Sequence, residues 1–223
     1  MTLRRSLTLE MAALLAWNSA PARPTVLGVV LEADRAHLNS GAVSAGATVY
    51  DRDRFSTETG GMLLLHSDAA MLELAEESEV MVRSRANGAQ GTEAELGKGT
   101  LVFSAARAAA LEIVVQEADV RPITDARTIA QVSVTGPGEL RISTRRGALQ
   151  FSYRGETETI AEGSSYRVIL DPPKDDPQNK PVKAGRRRKS FLLIAIAAAA
   201  GTTVILYEHL NHGHKRMESP DRP

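Results

Sequence analysis

The stretch Thr128-Ile-Ala-Gln-Val-Ser-Val-Thr-Gly-Pro-Gly-Glu-Leu-Arg-Ile142 decides the fold. Through Thr128–Val134 its apolar residues alternate with polar ones, the period of a half-buried strand and not of a helix. Gly136-Pro137-Gly138 then breaks the run, because proline offers no ladder donor and glycine permits a reversal. Leu140-Arg-Ile142 resumes the alternation. The same unit recurs outward in both directions. Upstream lie Val26–Leu31, Ala45–Tyr50, Met62–Leu65, Ala70–Leu74, Val80–Val82, Leu101–Phe103, Leu111–Val115 and Ala118–Ile123. Downstream lie Ala148–Tyr153, Thr157–Ile160 and Tyr166–Leu170. Gly41, Gly60-Gly61, Asn87-Gly88 and Gly97-Lys-Gly99 punctuate them, Asn87-Gly88 being the strongest turn signal. About a dozen short strands at this spacing predict an all-β sandwich or roll. Ala105–Ala110 is the one competing helical signal, and it is too short to stand alone. With 4% aromatic residues, the core is expected to be mainly Val, Leu, Ile and Ala.

The chain has 223 residues, enough for one core-bearing domain with appendages. Lys+Arg and Asp+Glu are equal at 27 each, so no global charge points to nucleic acid or to an acidic substrate. There is no cysteine, which excludes a disulfide, a thiolate nucleophile and a sulfur-ligated metal. The expected domain therefore rests on its apolar core alone.

Beyond the β-rich body, Asp171–Gly185 (DPPKDDPQNKPVKAG) reads as an extended, solvated linker, rich in proline and charge. The basic block Arg186, Arg187, Arg188 and Lys189 follows, and then Phe191–Tyr207 (FLLIAIAAAAGTTVILY) without a single charge. As a helix that run reaches roughly 26 Å, close to the ~30 Å hydrocarbon core of a bilayer. Phe191 and Tyr207 sit where aromatic residues favour the interface. A transmembrane helix is expected over residues 190–207, a buried soluble helix being the alternative. The basic block would flank it and meet anionic headgroups. Ala197 and Gly201 form a small-x-x-x-small pair, which permits a helix-mediated dimer. Residues 208–223 read as a polar tail.

At the other end, residues 1–22 read as a signal peptide. Arg4 and Arg5 supply the basic region, Leu7–Trp17 the apolar one, and Ala20-Pro-Ala22 the small-x-small cleavage site. Glu10 interrupts the apolar stretch. The alternative is an amphipathic helix with Leu3, Leu7, Met11, Leu14 and Leu15 on one face. The two ends conflict over topology. An export signal places residues 23–170 outside, whereas the positive-inside tendency of Arg186–Lys189 pulls the same side inward.

From Gly28 to Val115, and on towards Leu170, the chain resembles the FecR domain, a β-rich extracytoplasmic module. Gly28-Val29-Val30 is similar to its opening strand, and Ala42-Val43-Ser44-Ala45-Gly46 to its turn. Asp53-Arg54-Phe55-Ser56-Thr57 resembles its "Asp-x-h-x-Thr" strand end. Gly61–Leu65 with Met71–Leu74 resembles the alternating strands that follow. Leu96–Phe103 with Gly99 resembles "L-x-x-G-x-h", followed by Leu111–Val115. The resemblance makes Gly28, Gly46, Asp53, Thr57, Gly61 and Gly99 the motif's turn positions. It also implies an envelope location, with the domain outside the inner membrane, and a non-catalytic role. The regulators of that family place a cytoplasmic segment and a membrane helix before the domain. Here the domain comes first, so transcriptional control does not carry over.

Candidate chemistry is sparse. His209, His212 and His214 have a spacing that can bind a divalent metal, yet a Gly-containing polar tail without a fixed carboxylate favours solvated residues. Asp51-Arg52-Asp53-Arg54 offers paired carboxylates, but a strand-end turn with surface ion pairs accounts for them. Asp175-Asp176 lies in the linker. His37 and His66 lack a serine in a nucleophile elbow, and Gly97-Lys-Gly-Thr100 lacks the spacing of a phosphate loop. The sequence thus predicts no enzyme, no cofactor and no metal. It predicts a single-pass bacterial inner-membrane protein with a periplasmic β-domain that binds another envelope protein or cell-wall glycan. The alternative is a regulator that relays ligand state across the membrane through a partner.

Overall fold

The computed structural model describes residues 25–85, 90–172 and 190–196. Fifteen strands form in chain order: β1 (Val26–Leu38), β2 (Gly41–Ala42), β3 (Thr48–Tyr50), β4 (Arg54–Ser67), β5 (Ala70–Leu74), β6 (Glu79–Ser84), β7 (Thr92–Ala105), β8 (Leu111–Val115), β9 (Ala118–Pro122), β10 (Thr128–Gly136), β11 (Glu139–Arg146), β12 (Leu149–Tyr153), β13 (Glu156–Ile160), β14 (Ser165–Leu170) and β15 (Phe191–Ala195). The expected all-β class is what the described residues form. The Ala105–Ala110 helical signal shrinks to one 3₁₀ turn, Ala108–Ala110.

Three long strands make the architecture. The first half of β7 pairs with β6 and β8, and its second half with β5 and β10. In the same way β4 pairs with β6 near Arg54–Ser56 and with β5 near Leu63–Ser67. β1 follows β4 through both regions, with register shifts at Val30/Glu32 and Asp34/Ala36. Hydrogen bonding is therefore continuous through a 15-stranded sheet that bends into two layers. One layer runs from the start of β4 through β6-β7-β8-β9-β12-β13, the other from the end of β4 through β5-β7-β10-β11-β14-β15.

Alternation fills the space between the layers. Phe55, Val80, Val82, Leu96, Ile113, Val120 and Phe151 point inward from one layer. Leu63, Leu65, Leu72, Leu101, Phe103, Val132, Ile142 and Val168 point inward from the other, and all join one buried cluster. At roughly 25 cal/mol per Å² of apolar area removed from water, this cluster is the main favourable contribution to stability. A polar clasp ties the layers at one end. Gln116, at φ 47 in the β8–β9 turn, donates through Nε2 to the Gly136 carbonyl (3.0 Å), and its Oε1 accepts from the Gly138 N–H (2.9 Å).

At Phe191 the described structure differs from the expected helix start: Phe191–Ala195 forms β15, an antiparallel neighbour of β14 with Leu170 opposite Phe191 and Tyr166 opposite Ala195. Among the described residues no helix is long and apolar enough to cross a membrane. The cause is the unfilled edge of β14. An extended FLLIA segment satisfies that edge and sends the Phe191 ring into the core, at 2% exposure. Residues 1–22, Arg186–Lys189, Ala197–Tyr207 and the histidines of the tail lie outside the described residues.

Candidate functional site at the carboxy-terminal edge

Two polar nodes hold the motif positions, and both are structural. Asp53 is buried and accepts from the Tyr50 N–H (2.7 Å) and from Asn39 Nδ2 (2.7 Å), which closes the β3–β4 turn. Thr57 donates to the Ala75 carbonyl (2.5 Å) and accepts from the Ser78 N–H (3.0 Å). Gly99, at φ +80, lies directly on Ser78, whose hydroxyl accepts from the Thr100 N–H (2.9 Å). Thr57 and Gly99 therefore converge on Ser78, a fully buried residue that the sequence reading did not single out. Gly28 is needed because a Cβ there would collide with the His66 carbonyl. One on Gly61 would stand 2.7 Å from the Arg35 carbonyl. Gly46 is a turn residue with open space around it. These six positions are scattered over the fold and do not form a binding pocket.

Asp51 and Arg52 form the turn before β4, and only part of the expected surface ion pairing is present, because Asp53 is buried. Arg52 has φ 69 and pairs with Asp51 at 3.7 Å, while Asp51 also accepts from the Ser84 N–H (2.7 Å). His37 meets Glu58 at 2.6 Å. Among the described residues no three His, Cys, Asp or Glu side chains are grouped to hold a metal. The outward face of β6, β7 and β8 carries charges in matched pairs. Arg83 forms an ion pair with Glu93 (2.7 Å) and a hydrogen-bonded one with Glu95, and Arg85 bonds Glu112 (2.6 Å). A shallow groove of about 120 Å³ beside them is lined by Arg54, Glu79, Met81, Glu95 and Gly97. Its charges are already spent, since Arg54 meets Glu79 at 3.1 Å.

Glu73 differs from those pairs. It lies on the outward face of β5, between Leu64 of β4 and Val102 of β7 and beside Met71. It is 1% exposed, and neither carboxylate oxygen has a partner. Desolvation first, then the Glu32 charge, raises its pKa from 4.5 to about 7.

The site with most built into it is where the chain leaves β14 and re-enters at β15. Asp171, at φ 46, accepts from the Tyr153 hydroxyl (2.8 Å) and from Arg154 Nη1 (2.6 Å), and its N–H donates to the Ser190 carbonyl (2.9 Å). The Ser190 N–H and hydroxyl both donate to Glu156 Oε2, at 2.8 and 3.0 Å. Beneath this clasp the Phe191 and Phe151 rings meet edge-to-face with centroids 4.8 Å apart. Burial first, then the hydrogen bond to Asp171, holds the Tyr153 phenol above its ordinary pKa. The clasp draws the last strand of one layer onto β12 and β13 of the other. It also holds Asp171 and Ser190, on either side of residues 173–189 in the sequence, in one backbone hydrogen bond. On the outer surface of β15, Leu192 (47%) and Ile194 (39%) are exposed. The arrangement anchors the last described strand through these hydrogen bonds and the Phe191–Phe151 contact.

No family model matches the chain, and no relative of assigned function matches it by sequence. Similar solved structures include two crystal structures, at 1.65 and 2.50 Å resolution, of a candidate anti-sigma factor from Parabacteroides distasonis. Each is 13% identical over 52% of this chain and 54% of that one, with a TM-score of 0.42. The chain thus spans about half the length of those proteins, and at that level of similarity no ligand or partner transfers to it.

Proposed function

We propose that the chain is a FecR-like, membrane-anchored protein of a bacterial envelope. Its β-sandwich is a non-catalytic module that binds or scaffolds an extracytoplasmic partner protein or cell-wall glycan. One observation carries the reading. The uncharged run Phe191–Tyr207 follows Arg186–Lys189 in the sequence, and its described start, β15, already exposes Leu192 and Ile194 at a sheet edge. The domain is placed outside and the polar tail inside. An exported domain of this length commits the chain before the basic flank can act on orientation.

Membrane fractions from a Gram-negative host expressing the full chain test the anchor. The protein should stay in the pellet after sodium carbonate extraction, and its release would contradict anchoring. Sedimentation of residues 25–196 with purified sacculi tests the glycan arm. Retention on sacculi is expected if the ligand is glycan, and loss to the supernatant assigns the role to a protein partner.

A further inference from the structure

The apolar run cannot serve the sheet and the bilayer at full length together. With Phe191–Ala195 held in β15, at most Ala197–Tyr207 of the run remains available to a membrane helix. As a helix that remnant reaches roughly 17 Å, little more than half of a ~30 Å hydrocarbon core. With β15 released, Phe191–Tyr207 regains roughly 26 Å. We infer that β15 is an exchangeable edge strand, held in the sandwich by the Asp171–Ser190 clasp and surrendered to the lipid bilayer as the first turns of the membrane helix. The inference rests on the membrane-anchored reading above and assigns it a docked and an inserted state.

Three features of the edge fit such an exchange. β15 has a single neighbour in the sheet, β14, so its release breaks one ladder and leaves the other fourteen strands paired. Three of its five side chains, Leu192, Ile194 and Ala195, are already on the surface, so the sandwich gains little from them while a bilayer would bury all three. The side chain that must be given up is Phe191, whose ring against Phe151 is the main apolar anchor. Polar closure on the sandwich side is local. Tyr153, Arg154 and Glu156 grip Asp171 and Ser190, which both lie outside the apolar run and remain in water in either state. In the inserted state Arg186–Lys189, next to the run in sequence, would meet anionic headgroups.

The chain has no cysteine, so a designed disulfide stands alone. The Ile196 N–H donates to the Ser165 carbonyl (2.8 Å), which makes Tyr166 and Ala195 the adjacent non-bonded pair with close side chains. Tyr166→Cys with Ala195→Cys therefore locks β15 on β14. Ser143→Cys with Ser165→Cys locks β11 on β14 in the same kind of pair and leaves β15 free. The full-length proteins are oxidised in detergent and moved into phosphatidylethanolamine–phosphatidylglycerol vesicles, and flotation is compared with and without reductant. The inference predicts that wild type, the reduced variants and the oxidised control float. The oxidised Tyr166/Ala195 variant should float at least tenfold less. Equal flotation of that variant oxidised and reduced overturns the exchange while leaving the anchor intact, and so does a control that fails to float when oxidised. A wild-type protein that stays at the bottom of the gradient overturns the membrane reading itself.

Discussion

Glu73 shows what one residue contributes to this sandwich. Its folded pKa of about 7 against an unfolded 4.5 means that the native state holds the proton more tightly across that window. The stabilisation is present in full below pH 4.5 and is lost as pH rises through 7. Wild type should lose about 2 kcal/mol between pH 5 and pH 8 relative to Glu73→Gln, at ~1.36 kcal/mol per pKa unit. Urea denaturation of both proteins at the two pH values checks this, and parallel pH profiles would show that Glu73 is hydrated. Thr57→Val removes two hydrogen bonds at the Ser78 node and should cost about 1–3 kcal/mol by the same assay. Gly99→Ala, which forces a Cβ onto Ser78 at φ +80, should cost about 2 kcal/mol or more. The motif positions were singled out through the family resemblance as turn positions; Asp53 does close a turn, whereas Thr57 and Gly99 lie inside β4 and β7. Glu73 was not legible, since a carboxylate in an alternating strand reads as solvent-facing until the neighbours that bury it are known. Ser78 was hidden for the same reason, its partners being brought together only by the bending of β4 and β7.

At the scale of elements, the short strands were readable wherever glycine or proline bounded an alternating run, as at Gly136–Gly138 between β10 and β11. The long strands were not. Gly60-Gly61 and Gly97–Gly99 read as turns, yet they lie inside β4 and β7. There glycine marks a bend or the close approach of another backbone instead of a chain reversal. That distinction is what makes two layers from one continuous ladder. β15 was unreadable for a further reason: a short apolar run has the same composition in a core strand, a buried helix or the start of a membrane span. The clasp should control this strand. Tyr153→Phe and Asp171→Asn should each speed hydrogen exchange of the β15 amides by about fivefold or more, at ~1 kcal/mol per lost bond. The amides of β8 and β9 should be unchanged. Unaltered β15 exchange in both variants would show that Phe191 holds the strand alone.

For the molecule as a whole, stability and location meet at the carboxy-terminal edge. Phe191→Ala should destabilise residues 25–196 by about 3 kcal/mol, the lower end for a buried phenylalanine because the strand lies at an edge. Calorimetry or urea denaturation measures the loss. The same substitution weakens docking of the segment that is proposed to enter the bilayer, so fold and anchor draw on one ring. The central claim is that this β-sandwich is held outside the inner membrane by the run that follows it. Protease treatment of spheroplasts expressing the full chain, with a reporter fused after Pro223, tests it most directly. The account predicts that the sandwich is degraded while the reporter is spared. A protected sandwich with a degraded reporter would contradict it and place the binding module on the cytoplasmic side.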